Sequence, residues 1–154
     1  MLVAAKPRSI NDVTIIIVHC SASDRPEDDD VDVIRRWHLA RGFSDVGYHF
    51  FIKKNGKIQI GRNIYEIGAH CLGFNSESIG ICLSGDKSFN DAQFAAAAKL
   101  IDTLFISLPN LKKSYGVLPH RFFNHNKTCP NFEMRNVLSR MTTKINVDAS
   151  GKYV

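Results

Sequence analysis

Ile15-Ile16-Ile17-Val18-His19 is the stretch of sequence that decides the fold. Four consecutive β-branched residues, with no polar residue between them, predict a strand that is buried on both faces of a central sheet. The histidine that follows stands at the carboxyl end of this strand. The pattern therefore predicts a sheet that other elements cover on both sides.

The rest of the chain alternates between further strand and helix patterns. Asn55-Gly56 lies between two alternating segments, which is the strongest short signal for a β-hairpin. Asn90 can cap a helix, with Gln93 at the capping-box position. Together the patterns predict strands over about 15–19, 48–52, 57–60, 78–83 and 116–119, and helices over about 30–41, 90–109 and 129–138.

This order of elements predicts an α/β fold with a central mixed β-sheet and helices packed on it. At 154 residues the chain has the length of one ordinary domain and can bury a core of its own. No internal repeat or linker divides it. We expect a single domain over residues 1–154, with loose ends over about 1–10 and 144–154.

Composition narrows the class of partner. A formal net charge of +5 favours an acidic partner such as a nucleic acid, an anionic lipid or an anionic cell-wall polymer. The basic residues are scattered and are not interleaved with aromatic residues, so we expect no nucleic acid as partner. No apolar run reaches the roughly 18–20 residues of a membrane span, so we expect no membrane insertion. Met1 to Arg8 lacks the order of a signal peptide, which predicts synthesis in the cytoplasm.

A possible metal site follows from the strand ends. His19 and His120 each stand at the end of a predicted strand, and Cys129 follows His120 after a short loop. Two histidines and one cysteine leave the fourth position of a tetrahedral zinc free for water, which is typical of catalytic zinc. Taken singly, such residues are more often ordinary packed or exposed side chains. His125 also precedes Cys129 at a spacing compatible with zinc, and is a second candidate for the same position.

Five short segments, in order along the chain, resemble a known family. They are Val18–Ser23, Asp45–Phe50, Gly68–His70, Asn75–Leu83 and Lys127–Phe132. In this order they resemble the zinc amidase family that contains bacteriophage lysozymes and the peptidoglycan recognition proteins. The resemblance spans residues 18 to about 132, nearly the whole predicted domain.

The resemblance implies that the chain binds one zinc and hydrolyses the amide bond between N-acetylmuramic acid and L-alanine in peptidoglycan. It implies an endolysin-like, monomeric enzyme that acts on the bacterial cell wall after release from the host cytoplasm. The ligands implied for zinc are His19, His120 and Cys129, the catalytic residues are Tyr48 and Lys127, and the groove residues are His70 and Asn75.

The chemistry of the residues agrees with part of this assignment. Lys127 and Cys129 are two apart, so in an extended segment they project to one side, where an ammonium beside a metal can stabilise an oxyanion. Another branch of the family carries a glutamate where this chain has Cys82, which favours Tyr48 as the group that orients water. His70 and Asn75 are equally well explained as a core histidine and a turn asparagine. His49 is a further candidate for substrate binding, or a structural residue that points away from Tyr48.

Three other functions compete with hydrolysis of the amide. A non-catalytic peptidoglycan-binding module would be expected to lack a zinc ligand, particularly the cysteine. A phage regulator that binds an RNA polymerase is the second, and Met1 to Asn11 does not decide for or against it. A glycosidase would need two opposed carboxylates; Glu66 and Glu77 are available, but no spacing joins them.

Overall fold

The strand predicted from the four β-branched residues is present, and all six of its residues are buried. The computed structural model describes residues 5–148 and 150–154. Along the chain the elements are β1 (Ile15–Cys20), α1 (Val31–Ala40), β2 (Phe50–Ile52), β3 (Ile58–Ile60), β4 (Ser78–Leu83), α2 (Asp91–Ser107), β5 (Val117–Pro119), α3 (His120–Phe123) and α4 (Arg135–Leu138), with 3-10 turns at Ile10–Asp12, Pro26–Asp28 and Asn75–Glu77.

The five strands form one mixed sheet in the order β3-β2-β4-β1-β5, which confirms the predicted fold class. Among these five strands, β2 and β3 pair in antiparallel fashion, as the hairpin at Asn55-Gly56 predicts, and the other pairs are parallel. Val18 lies opposite Pro119, the last residue of β5. His120 therefore follows β5 at the same edge of the sheet as His19, and this edge carries the candidate site.

The two faces of the sheet have different coverings. Ile16 and Val18 pack into the large core on the side of α2 and α4. Ile15 and Ile17 point the other way, into a smaller cluster with Phe123 of α3. His19 follows the same alternation and shares the face of Ile15 and Ile17. The sheet thus lies between two layers of helices, with the candidate site on the face opposite α2.

Two helices begin as the sequence predicts. Asp30 caps α1 by accepting a hydrogen bond from the backbone N–H of Asp32. Asn90 and Gln93 form the predicted capping box of α2, with bonds of 3.0 and 3.3 Å. The capping side chains satisfy backbone N–H groups that the first turn leaves without partners, which explains why both starts are readable from sequence.

The structure corrects two details of the predicted helices. The inward face of α1 ends on His38, while Trp37 and Leu39 are more than a third exposed. The last helix begins at Arg135 and not at Cys129, because Asn131 has a φ of +67°, which an α-helix does not accommodate.

The chain ends make defined contacts within the described residues. The Arg8 guanidinium donates hydrogen bonds to the carbonyl oxygens of Ile64 and Ser78, at 3.0 and 2.6 Å. The Tyr153 hydroxyl accepts a hydrogen bond from the backbone N–H of Val117 at 2.9 Å. Residues 1–4 and Ala149, which belong to the predicted loose ends, lie outside the described residues. The looseness of the two ends stays a prediction.

No helix in the described part of the chain is both long and apolar enough to cross a membrane.

Candidate metal centre and groove

Three potential metal ligands converge at the edge of the sheet. One donor atom each from His19, His120 and Cys129 lies within 4.8 Å of the others. His19 comes from β1, His120 opens α3 directly after β5, and Cys129 lies in the loop before α4. Zinc bond lengths of 2.0–2.3 Å require tetrahedral ligand atoms that are roughly 3.5 Å apart. Shifts of about 1 Å in these side chains would bring the three donor atoms to that distance. The donor set and its spacing fit zinc.

His19 is held by a second histidine. Its Nε2 lies 2.8 Å from Nδ1 of His70, which leaves Nδ1 of His19 as the free ring nitrogen. Burial lowers the pKa of His19 well below its usual value, and the neighbouring His70 and His120 add to this effect. The imidazole is therefore neutral at neutral pH, the form that ligates metals.

Cys129 is positioned by two hydrogen bonds of its own and by one that the nearby Asn131 makes. Its Sγ accepts a hydrogen bond from the backbone N–H of Cys20 at 3.2 Å. Its carbonyl oxygen accepts from the N–H of Arg121 at 2.9 Å, and the Asn131 side chain donates to the carbonyl of Asp86 at 3.0 Å. A hydrogen bond with the Cys20 thiol raises the pKa of Cys129, and burial raises it further by a smaller amount. Metal binding would therefore release a proton here.

His120, and not His125, belongs to this cluster. The ring of His120 lies 4.5 Å from that of His19, centroid to centroid. Burial, followed by the charge of Lys127, lowers the pKa of His120, so it too is neutral at neutral pH. His125 is exposed in the turn that follows α3 and is not part of the three-donor group. The geometry favours His120 of the two candidates.

Tyr48 lies beside the cluster. Its ring centroid is 5.0 Å from that of His19 and 5.5 Å from that of His38. Burial raises the pKa of Tyr48 well above its usual value, and the thiols of Cys82 and Cys129 add to this effect. The phenol therefore keeps its proton at neutral pH and can donate a hydrogen bond.

A groove with two lobes runs past two of the three potential ligands, His120 and Cys129. The lobes have volumes of about 440 and 460 Å³. Cys129 lines the first lobe, and His70 and Asn75 line the second. The residues that line both lobes are His38, Arg41, Tyr48, His120 and Lys127. The groove thus brings together the predicted catalytic pair, the predicted groove residues and two of the three potential ligands.

His49 lies apart from this groove. Its side chain is fully buried, its Nδ1 accepts a hydrogen bond from the N–H of Gly80 at 3.0 Å, and its Nε2 lies 2.9 Å from the carbonyl oxygen of Glu66. Both ring nitrogens thus have partners inside the protein. Of the two roles that the sequence leaves open for His49, burial favours the structural one, and the suggested contact with substrate stays a prediction.

Asn75 combines a structural role with its place in the groove. Its side-chain oxygen accepts hydrogen bonds from the backbone N–H groups of His70 and Cys71, at 2.9 and 2.8 Å. The turn-asparagine interpretation is therefore realised, and it fixes the backbone of His70.

Sequence reasoning missed His38 and Arg41. His38 is buried, its Nδ1 accepts from the N–H of Gly47 at 2.8 Å, and burial followed by nearby arginines lowers its pKa to about 4. Its spacing from Val31 and Ile34 matches the 3.6-residue period of a helix, and this period places His38 on the buried face of α1. Arg41 is exposed at the end of α1, where the sequence gives no signal of a groove.

The charges of the groove favour an anionic ligand and disfavour glycosidase chemistry. Arg41 and Lys127 line it, and among the described residues Asp86 is the one carboxylate in its lining. Glu77 directly precedes β4, whose first residue lies opposite Ile15, so it stands at the far end of the sheet from His19. Within the described residues, the lining of the groove therefore offers no second carboxylate opposite Asp86, as a glycosidase would need.

Known proteins are similar to this chain in sequence and in fold. The family model for N-acetylmuramoyl-L-alanine amidases matches residues 9–132. The endolysin of Enterobacteria phage T3 is 36% identical over an alignment of 140 residues, and the match covers 84% of this chain and 87% of that protein. The amidase LysC from Clostridium intestinale URNW has a TM-score of 0.75 at 25% identity, covering 91% of this chain and 93% of that chain. Drosophila PGRP-LB has a TM-score of 0.73 at 27% identity, covering 93% and 89%.

The family model covers most of the chain, and the T3 endolysin aligns over most of its own length. This chain belongs to the N-acetylmuramoyl-L-alanine amidase family.

Proposed function

We propose that this chain is a zinc-dependent peptidoglycan amidase of the endolysin type, which cuts the bond between N-acetylmuramic acid and L-alanine. Membership of the amidase family supports the reaction. The observation that supports zinc dependence is the convergence of His19, His120 and Cys129, whose donor atoms lie within 4.8 Å of one another beside a groove. The completeness of this set, including the cysteine, favours an enzyme over a module that only binds peptidoglycan.

Zinc, when bound, supplies a Lewis acid that polarises a carbonyl and lowers the pKa of water toward ~7. The protein supplies the surroundings of that chemistry. Lys127 lines both lobes and provides a positive charge where the carbonyl oxygen of the substrate becomes negative. Tyr48 provides a neutral hydroxyl that can orient the attacking water. Arg41 adds a second positive charge toward the carboxylates of the stem peptide.

We further propose that residues 1–154 act as one amidase domain and that the site of action is the cell wall. The sheet and both helical layers contribute to one continuous fold around the groove. The endolysins that share its sequence are phage proteins.

The reaction and the metal are tested together by digestion of purified peptidoglycan. Free stem peptides with an unsubstituted L-alanine amine are expected in the metal-replete digest, because the amide to the lactyl group is the bond that is cut. They are expected to be absent when a chelator is present, because His19, His120 and Cys129 then hold no metal. Mass analysis of the soluble products measures both outcomes.

Zinc returned to the chelated sample should restore the same products, which excludes an effect of the chelator on the substrate. Glycan fragments with intact stem peptides would instead identify a glycosidase. Equal release of stem peptides with and without chelator would refute zinc dependence.

Tyr48→Phe is expected to lower the rate of amide hydrolysis roughly 10–100-fold, the usual contribution of a group that supports a metal site from outside its ligand set. Zinc content should be unchanged, since Tyr48 is not among the three donors. Initial rates on a soluble muropeptide, at equal zinc content, provide the measurement.

Tyr65→Phe is the matched control, because Tyr65 is 55% exposed and lies outside both lobes of the groove. Wild-type turnover by the Tyr48→Phe enzyme would remove the hydroxyl from the mechanism.

A further inference from the structure

We propose that His70 is a positioning residue, which holds His19 in the tautomer whose Nδ1 is free to ligate zinc. The inference rests on the proposed function, and it gives His70 a different role from that of a substrate contact. It starts from the 2.8 Å hydrogen bond that joins Nε2 of His19 to Nδ1 of His70.

The direction of this bond decides what His19 can do. If His19 donates its Nε2–H to His70, its Nδ1 carries a lone pair that is available to a metal. If His70 donates instead, Nε2 of His19 must accept, and the proton of a neutral His19 then sits on Nδ1, where it blocks coordination. The pair therefore has one arrangement that is competent to bind metal and one that is not.

The other nitrogen of His70 is compatible with the competent arrangement. Its Nε2 lies 3.1 Å from the hydroxyl of Ser78, a group that can accept as well as donate. When His70 donates its Nε2–H to Ser78, its Nδ1 is free to accept from His19. One chain of donors then runs from His19 through His70 to Ser78, and it orients both rings.

The surrounding backbone is shaped to hold the ring of His70. A Cβ added to Gly80 would lie 2.7 Å from the ring, and one added to Gly68 would lie 2.8 Å from it. The backbone N–H of His70 is fixed by the side chain of Asn75 at 2.9 Å. Gly80 and Gly68 thus leave room for the imidazole of His70, while Asn75 fixes its backbone, which is more than a residue that only lines a groove requires.

The choice of a histidine as acceptor also has an electrostatic consequence. Metal-bound histidines commonly donate their second N–H to a carboxylate or a carbonyl. A neutral imidazole adds no charge, so a site of two neutral histidines and one thiolate keeps a net positive charge when it holds Zn²⁺. A positive site suits the stabilisation of negative charge on the substrate carbonyl.

Zinc affinity is the quantity that tests the proposal. His70→Leu removes the acceptor at similar volume and is expected to weaken zinc binding 10–100-fold, the usual effect of losing the partner of a ligating histidine. His70→Asn is expected to recover most of the affinity, because its amide oxygen can accept a hydrogen bond near the position of Nδ1. Competition with a chromophoric zinc chelator measures both dissociation constants.

Thermal unfolding of the metal-free proteins separates positioning from general stability. A merely structural role would lower the melting temperature of both variants without a difference in zinc affinity between leucine and asparagine. His125→Leu is the matched control for a histidine outside the donor set, and should bind zinc as the wild type does.

The tautomer is tested directly in the wild-type protein, so the proposal does not depend on the folding of any variant. In ¹H–¹⁵N spectra of the zinc-loaded protein we expect His70 to be protonated on Nε2 and unprotonated on Nδ1. The opposite tautomer, or a His70→Leu variant with wild-type affinity, would overturn the positioning role alone. A wild-type protein that binds no zinc would overturn the proposed function and this inference together.

Discussion

His120→Ala is expected to lose zinc and amide hydrolysis together, whereas His125→Ala keeps the zinc and a substantial part of the activity. The two histidines lie five residues apart, and both precede Cys129, so the sequence alone allows either as a ligand. Their surroundings in the fold differ.

His120 is anchored and His125 is not. His120 directly follows β5, whose residues Val117 and Leu118 are almost fully buried, so its backbone is fixed by the sheet. Its ring lies 4.5 Å from that of His19. His125 is exposed in a turn, and a ligand on an exposed turn would have to be ordered by the metal itself.

Metal analysis of the three proteins, purified without chelator, measures the difference. Wild type and His125→Ala should carry about one zinc per chain, and His120→Ala far less. Loss of zinc from the His125 variant alone would show that the ligand has been assigned to the wrong histidine. Circular dichroism of each variant controls for loss of fold.

The elements that sequence predicts well are those whose signals are local. β1 was predicted because a β-branched run is buried on both faces, and α2 because Asn90 and Gln93 form its capping box. The last helix was predicted too early. Pro130 suits the first turn of a helix, but Asn131 adopts a left-handed backbone conformation, and its side chain donates to Asp86 from a different part of the chain. Local propensity contains no information about such a distant partner.

The candidate site likewise contains residues that local patterns predict and contacts that depend on distant parts of the chain. His19 and His120 were predictable because residues at the ends of neighbouring parallel strands meet at one edge of the sheet. The burial of His49 was not, since it depends on the backbone of Gly80, 31 residues away. The bond between His19 and His70 joins residues 51 apart, and sequence gave no reason to pair them.

Lys127→Ala is expected to keep the zinc and to lower the rate of amide hydrolysis by about 10²–10³-fold, the usual cost of removing one group that stabilises an oxyanion. Lys127 is exposed where the two lobes of the groove meet, and no ion pair within the described residues engages its ammonium. Its charge is close enough to lower the pKa of His120. A positive charge so placed can act on negative charge in the substrate.

Because Lys127 is exposed, its removal should leave the stability of the fold nearly unchanged, and a loss of rate can be assigned to the reaction itself. Lys57→Ala removes one positive charge from an exposed position on the β2–β3 hairpin, and so controls for the net charge that attracts an anionic wall.

If attraction to the wall were the whole role of Lys127, both variants would lose rate equally, and the loss would shrink at high salt. A direct role in the reaction predicts that only Lys127→Ala loses rate on a small soluble muropeptide, at any ionic strength and at full zinc content. Near wild-type turnover of that substrate by Lys127→Ala would reduce Lys127 to a surface residue of the groove.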